Sequence, residues 1–295
     1  MSTSTSLQKK KPSFSKWAKQ IGWKHLVALL MIVYATFPIL YILSTSLTDM
    51  GGIENKTLFG QFYLGNYKDL IWSTTYPYRT WLWNTFFIAS VTAVISVFIS
   101  ACAAYSFSRL RFRGRRPGLL ALILVQMFPS VLGIVAVYGI LSALTDYIPA
   151  IGLGTKWGLI LVYLGGSLGA GTYLMYGFFN SVPKELDEAA KIDGATHTQI
   201  YFQIILRLVA PILAVMGLLS FIGTSSDFVL ASIVFNKSSQ YTVAVGLGTL
   251  ISDPFSKDWA LFSAGAIIAA TPIVILFISL QRYIVSGLTG GAVKG

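Results

Sequence analysis

Charged residues divide the chain into long uncharged stretches. No Asp, Glu, Lys or Arg occurs in residues 25–48, 80–108, 117–145, 157–183, 208–226 or 259–281. Each stretch can hold a helix of about 20 residues, enough to cross a hydrocarbon layer of roughly 30 Å. Backbone amides in that layer must be satisfied internally, which favours helices. A β-barrel needs many short strands of alternating polarity, whereas these runs are long and continuous. The pattern predicts an all-α integral membrane protein of six transmembrane helices over 25–283, with tails over 1–24 and 284–295.

Composition agrees. Of 295 residues, 55% are apolar, 14% aromatic and 11% charged, where a soluble domain carries roughly a quarter charged residues. The net charge of +11 does not indicate a nucleic-acid partner, because the basic residues fall in short bursts between apolar runs. That is how membrane loops are built. With the N-terminus inside, inner segments carry sixteen of the 22 Lys and Arg residues and outer segments six. This positive-inside bias places both termini in the cytoplasm. Residues 1–20 lack an apolar core followed by a small-residue cleavage site, so they read as a cytoplasmic tail and not a signal peptide. The run from Arg109 to Arg116 reads as an anchor to inner-leaflet lipid.

Other features add detail. Tyr76, Tyr78, Trp81 and Trp83 are expected to form an interfacial belt before span two. Pro38, Pro129, Pro211 and Pro272 fall in or beside apolar runs, where kinks are tolerated. The cluster Gly165–Gly171 indicates close packing or a bend in span four. Cys102 has no internal disulfide partner and reads as a small buried side chain. His25 and His197 are far apart in sequence, and no metal cluster or nucleophilic triad is visible.

The most informative segment, 181–203, lies between spans four and five. It reads as two short helices with a break. Ser181 is placed to cap the first, near whose positive end sit Glu185, Asp187 and Glu188. Asp187 and Lys191 are spaced as an i,i+4 pair. Ala189 and Ala190 make one side small enough for close docking. Asp193-Gly194 signals a turn, and Thr196 with Gln199 has the spacing of a capping box that starts the second helix.

Glu188-Ala-Ala190, Gly194 and Ile204-x-Leu206 resemble the Glu-Ala-Ala motif of ATP-binding-cassette importer permeases. That family usually has Pro after the Leu, where this chain has Arg207. The departure bears on how span five begins and leaves the Glu-Ala-Ala to Gly spacing intact; Pro211 matches a later proline. Tyr105–Gly114, Gln126-Met-Phe-Pro129 and Gln281–Gly295 resemble carbohydrate permeases of this family. Tyr241–Gly246 is similar to the smaller permease of its maltose and maltodextrin importers.

The resemblance implies the type I importer permease fold and half of a translocation pathway. The implied partners are a second, larger permease, two ATPase subunits and an extracytoplasmic sugar-binding protein. It makes 181–203 the coupling segment, with Glu185, Glu188, Ala189, Ala190, Asp193, Gly194 and Ala195 facing an ATPase subunit. The tail residues Gly290, Gly291 and Lys294 would reach between the ATPase subunits. Residues Asn236, Lys237, Ser238, Ser239 and Gln240, in an outer loop over 235–257, would meet the binding protein. The chain itself has no phosphate-cradling Gly-x-x-x-x-Gly-Lys-Ser/Thr segment, so it is expected to be no enzyme and to bind no cofactor, ATP and magnesium being used by the ATPase subunits. The sugar stays open among maltose, maltodextrin, trehalose and other α-glucosides.

Asp227 is embedded in an otherwise apolar run, placed in the outer half of span five. A carboxylate at a helix centre costs about 2.5–3.5 kcal/mol on the insertion scale. It is a candidate for lining the pathway or for pairing at a subunit interface, with snorkelling to the outer surface as the structural alternative. Sugar permeases often have Trp-Asn before this acid; Ser225-Ser226 here argues against direct sugar contact. An ion-coupled secondary transporter is the rival reading, with Asp227 and a broken helix at Gly165–Gly171 as its support.

Overall fold

A computed structural model describes residues 18–49, 58–252 and 257–292, and every regular element among them is helical. The elements are α1 (Trp23–Ser46), α2 (Gly65–Ile71), α3 (Tyr78–Arg109), α4 (Arg115–Gln126), α5 (Ile134–Tyr147), α6 (Lys156–Ser181), α7 (Glu185–Ile192), α8 (His197–Ser226), α9 (Val229–Val234), α10 (Val243–Leu250) and α11 (Trp259–Ala292). Helices α1, α3, α6, α8 and α11 are each long and apolar enough to span a membrane. The third expected span is different. The uncharged run 117–145 predicts one helix, but α4 and the helix after it meet at 84°. Pro129 sits at the break; it has no N–H to donate and drives the preceding residue out of helical geometry.

Helix α3 is the spine. Its 32 residues span about 48 Å at 1.5 Å per residue, so it projects beyond the hydrocarbon layer. Between residues 89 and 104 its buried face is small: Ala89, Ala93, Ala101 and Ala104 let neighbours approach closely. Met175 and Phe179 of α6 and Ile200, Tyr201 and Ile205 of α8 fill the space beside Ala101 and Ala104. Ser96 bonds Ser220 of α8 at 3.0 Å. Helix α6 is continuous through Gly165–Gly171, so the cluster is not a break; Gly169 and Gly171 are packing sites, whereas a Cβ at Gly165 or Gly166 would meet nothing within 4 Å. A Cβ at Gly169 would meet the Gln126 amide, and one at Gly171 would lie 2.8 Å from Ser100 Oγ.

The expected aromatic belt is half right. Trp83 is 66% exposed, but Tyr78 and Trp81 are buried. Tyr78 donates to Gly265 O at 2.6 Å and Trp81 Nε1 to Ser238 O at 2.8 Å. With polar atoms satisfied, both rings become core. The indole lies flat against Gly246, where a Cβ would stand only 2.2 Å from a ring carbon. Gly246→Val is expected to cost about 1–3 kcal/mol through overpacking. Trp81→Leu in the same chain should restore part of the loss in thermal unfolding of the solubilised protein.

Two helix ends add to this picture. The carbonyls of Ser46 and Thr48, just where α1 ends, accept from Asn66 Nδ2 at 3.0 and 2.7 Å, which supplies orphan acceptors with a donor. Helix α11 continues through the expected tail boundary at 283, so Gly290 and Gly291 are helical; Lys294 lies outside the described residues. Extending a helix adds a hydrogen bond per residue.

Candidate coupling segment and transport sites

At the end of the bundle where α3 finishes, α7 stands as a separate helix joined to α8 by a tight turn. Asp187 and Ala190 face inward and are buried. Glu185, Glu188, Ala189 and Ile192 form the opposite face and are exposed. Ala189 is therefore available for docking, whereas Ala190 belongs to the chain's own core beside Val182, Ile200 and Ile205. Ile192, 86% exposed, was not singled out from sequence. Helical spacing from Glu185 and Ala189 would have placed it on the same face.

The turn is built around Gly194 at φ +83°. Its N–H bonds Lys191 O at 3.0 Å, and Ala195 N–H bonds Ala190 O at 2.9 Å, the paired pattern of a Schellman ending. Asp193 and Gly194 are exposed and Ala195 is half-buried. Thr196 and Gln199 form the expected capping box: Gln199 N–H donates to Thr196 Oγ1 at 3.3 Å and Thr196 N–H to Gln199 Oε1 at 2.8 Å. Residues Ile200–Ile205 are π-helical before regular α-helix resumes at Leu206. The start of span five is thus irregular at the motif's end, where Arg207 replaces the family's usual proline.

Two local expectations are corrected. Ser181 does not cap α7; it closes α6 by donating to Phe178 O at 2.8 Å. Asp187 does not pair with Lys191. Its Oδ2 lies 2.8 Å from Arg109 Nε, with side chains 9% and 4% exposed. Arg109 Nη2 also donates to Val182 O at 2.7 Å. A buried carboxylate takes the partner that shares its desolvated position, and Lys191 is exposed. Arg109 is thus a bolt between α3 and α7 and not a lipid anchor.

Asp227 lies at a break rather than mid-helix. α8 ends at Ser226, and Asp227 is extended. Its Oδ1 accepts from Leu230 N–H at 3.0 Å, Ala231 N–H at 3.2 Å and Tyr163 O–H at 3.0 Å. The carboxylate caps α9 and ties it to α6, which offsets its desolvation. Ser225 and Ser226 both donate to Ile222 O, at 3.0 and 2.8 Å.

At the opposite end, Asn236 to Ser239 are exposed and Gln240 is half-buried. The backbone behind them is pinned. Asn84 Nδ2 donates to Ser239 O and Tyr241 O at 3.1 and 3.0 Å, and Val243 N–H donates to Thr85 Oγ1 at 2.8 Å. What was read as one loop over 235–257 contains α10, whose Val243, Val245, Leu247 and Leu250 are buried. Residues 253–256 lie outside the described residues. A cleft of about 770 Å³ opens between α3, α8 and α11, apolar except for Ser90, Tyr201 and Ser279. The apolar length of α1 has no buried residue within this chain.

Residues 96–290 match the model of the family described as "Binding-protein-dependent transport system inner membrane component". The maltose/maltodextrin transport system permease protein MalG of Vibrio vulnificus (strain YJ016) is 38% identical, aligned over 98% of this chain and 99% of the relative. MalG of Escherichia coli (strain K12) is 36% identical over 92% and 95%. A chain from the crystal structure of a bacterial ABC transporter involved in the import of the acidic polysaccharide alginate superposes with a TM-score of 0.72 at 23% identity, covering 92% of this chain and 99% of that one. Another, from the alginate ABC transporter in complex with its alginate pentasaccharide-bound periplasmic protein, gives 0.63 at 15% identity. These likenesses account for the multi-pass architecture and make the chain a transport subunit rather than an enzyme. By its match to the family model and its nearly full-length relatives, the chain belongs to the inner membrane components of binding-protein-dependent transport systems.

Proposed function

We propose that the chain is one of two permease subunits of an ATP-driven importer and forms half of the pathway for maltose, maltodextrin or a related α-glucoside. One coincidence carries the coupling role: the segment whose motif resembles the importer family's is the one the fold presents as a free-standing helix. The sugar class is supported by nearly full-length similarity to maltose/maltodextrin permeases. The membrane is a bacterial or archaeal plasma membrane, with both termini and α7 on the cytoplasmic side, as the distribution of Lys and Arg indicates.

In this reading the exposed face of α7 seats on an ATPase subunit. Two such subunits use ATP and magnesium; this chain binds neither. Their closure pushes α7, and the push passes to α3 through Arg109–Asp187 and to α8 through the Gly194 turn. Packed helices move as bodies, so α3 carries the displacement to its far end, where Trp81 and Asn84 hold residues 238–241. Asn236 to Gln240 there meet the sugar-binding protein. Gly290, Gly291 and Lys294 approach the ATPase subunits. The larger second permease covers α1 and the apolar cleft, which offers too few polar groups to hold a sugar. Asp227 lines or braces the pathway through α9.

Two substitutions probe these assignments. Ile192→Glu is expected to lower sugar-stimulated ATP hydrolysis at least about tenfold, since central apolar anchors cost about 2 kcal/mol or more when lost, with the permease pair still assembled. Asp227→Ala should cost about 1 kcal/mol as a lost cap, and Asp227→Asn should keep assembly while lowering uptake; unchanged uptake would remove Asp227 from the pathway.

The deciding experiment is uptake of labelled α-glucosides into proteoliposomes holding the complex, with binding protein outside and ATP inside. Uptake should require both and ignore ionophores. Uptake that persists without ATP under an ion gradient would replace this reading with a secondary transporter.

A further inference from the structure

Beside the coupling helix, the last turn of α3, the 110–114 loop and α7 enclose a cavity of about 800 Å³. Five basic side chains line it: Arg109, Arg111, Arg115, Lys184 and Lys191. Only two carboxylates, Asp187 and Glu188, stand among them. Asp187 is already committed to Arg109 at 2.8 Å. The cavity therefore holds an excess of positive charge in a partly desolvated space.

The guanidinium of Arg109 is incompletely used. Its approach to Asp187 is an ion pair without hydrogen-bond alignment, and its buried Nε and Nη1 have no hydrogen-bond acceptor. Arg115 is half-buried, gives one N–H to Ser108 O at 3.3 Å and also interacts with the Tyr176 side chain, leaving part of its fork for a further acceptor. Forked donors around a basic cavity match the oxygens of a phosphate.

The walls say more about the ligand. Leu110 and Phe112 also line the cavity, and Phe112 packs on Phe107 with ring centroids 5.5 Å apart. Helix α4 begins at Arg115 and leaves Leu120 and Leu124 exposed by 59% and 64%. A phosphate held here has an apolar surface continuing from it into the membrane. Basic pockets at the cytoplasmic side of membrane helices hold anionic lipid headgroups.

We propose that this cavity is a binding site for the phosphate headgroup of an anionic phospholipid. The headgroup bridges Arg111 of the loop and Arg115 at the start of α4 to Lys184 and Lys191 of the α7 segment. It thereby braces the coupling helix against the end of α3, and the acyl chains lie along α4. The leaflet, and the importance of α7, rest on the orientation and function proposed above; the binding itself does not.

The test is native mass spectrometry of the assembled complex, released from detergent with phosphatidylglycerol, phosphatidylcholine or inorganic phosphate added. Phosphatidylglycerol should be retained by the wild type and phosphatidylcholine should not. Arg111→Gln with Arg115→Gln should weaken retention by about tenfold or more, and Lys184→Gln with Lys191→Gln should do the same. Arg113→Gln with Arg116→Gln, outside the cavity, should change it by less than about twofold. Equal weakening by all three pairs would reduce the site to a diffuse basic belt and overturn the proposal. So would equal retention of phosphatidylcholine, or displacement of phosphatidylglycerol by inorganic phosphate, which would assign the cavity to a soluble anion. Binding by the chain alone but not by the assembled complex would give the cavity to the ATPase subunit instead. The same spectra report assembly of each variant, and bound lipid is read as mass whichever solute the complex carries.

Discussion

Gly194→Val is expected to abolish most sugar-stimulated ATP hydrolysis while leaving the spans inserted. Gly194 has φ +83°, where an L-residue pays roughly 1–2 kcal/mol and a β-branched one is an outlier. A Cβ at this position would find nothing within 4 Å, so the cost is conformational and not steric. The chain escapes it by giving up the bonds from Gly194 and Ala195 to Lys191 and Ala190. That redirects α7 relative to α8 and takes Ala189 and Ile192 off the docking line. Stimulated hydrolysis should fall at least about tenfold, as a shift of about 1.4 kcal/mol implies. Asn, which tolerates this region of backbone space, should retain most of it. Equal loss in both variants would mean that bulk at 194, not backbone conformation, is what matters.

Arg109→Met is expected to be more damaging still. Removing one partner of a buried ion pair costs about 3–5 kcal/mol, because the other charge stays behind. Here Asp187 would be stranded and Val182 O would lose its donor. The α7 segment should detach from α3, with complex yield and uptake falling together. Adding Asp187→Leu removes the stranded charge and should recover yield, since an apolar pair of similar volume often replaces an ion pair at little cost. If uptake recovers as well, the pair serves to hold the helices together and its charge has no separate part in transport.

The spans were legible because lipid imposes a single rule: long uncharged runs become helices. The break at Pro129 was less so, since membrane helices often absorb a proline, as α1, α8 and α11 do at Pro38, Pro211 and Pro272. Local signals held where the deciding bond is local, as in the Thr196–Gln199 box and the Gly194 turn. They failed where a distant partner decides. Lys191 lies one turn from Asp187, but Arg109, 78 residues away, shares its buried position. Trp81 and Tyr78 read as an interfacial belt because nothing nearby in sequence shows that Ser238 and Gly265 will accept their hydrogen bonds. Asp227 read as a charge inside a helix because the chain break that makes it a cap has no Pro or Gly to mark it.

The proposed coupling role requires the outer face of α7 to sit on an ATPase subunit. Cys102 is half-buried, with Sγ 3.4 Å from Tyr201 Oη, and can be exchanged for Ser. A single cysteine placed at Ile192 then carries a photoactivated crosslinker. In the assembled complex it should join this chain to an ATPase subunit, with a yield that changes when ATP is added. A cysteine there that makes no such product, and reacts with a water-soluble maleimide as freely in the complex as in the isolated chain, would contradict the account.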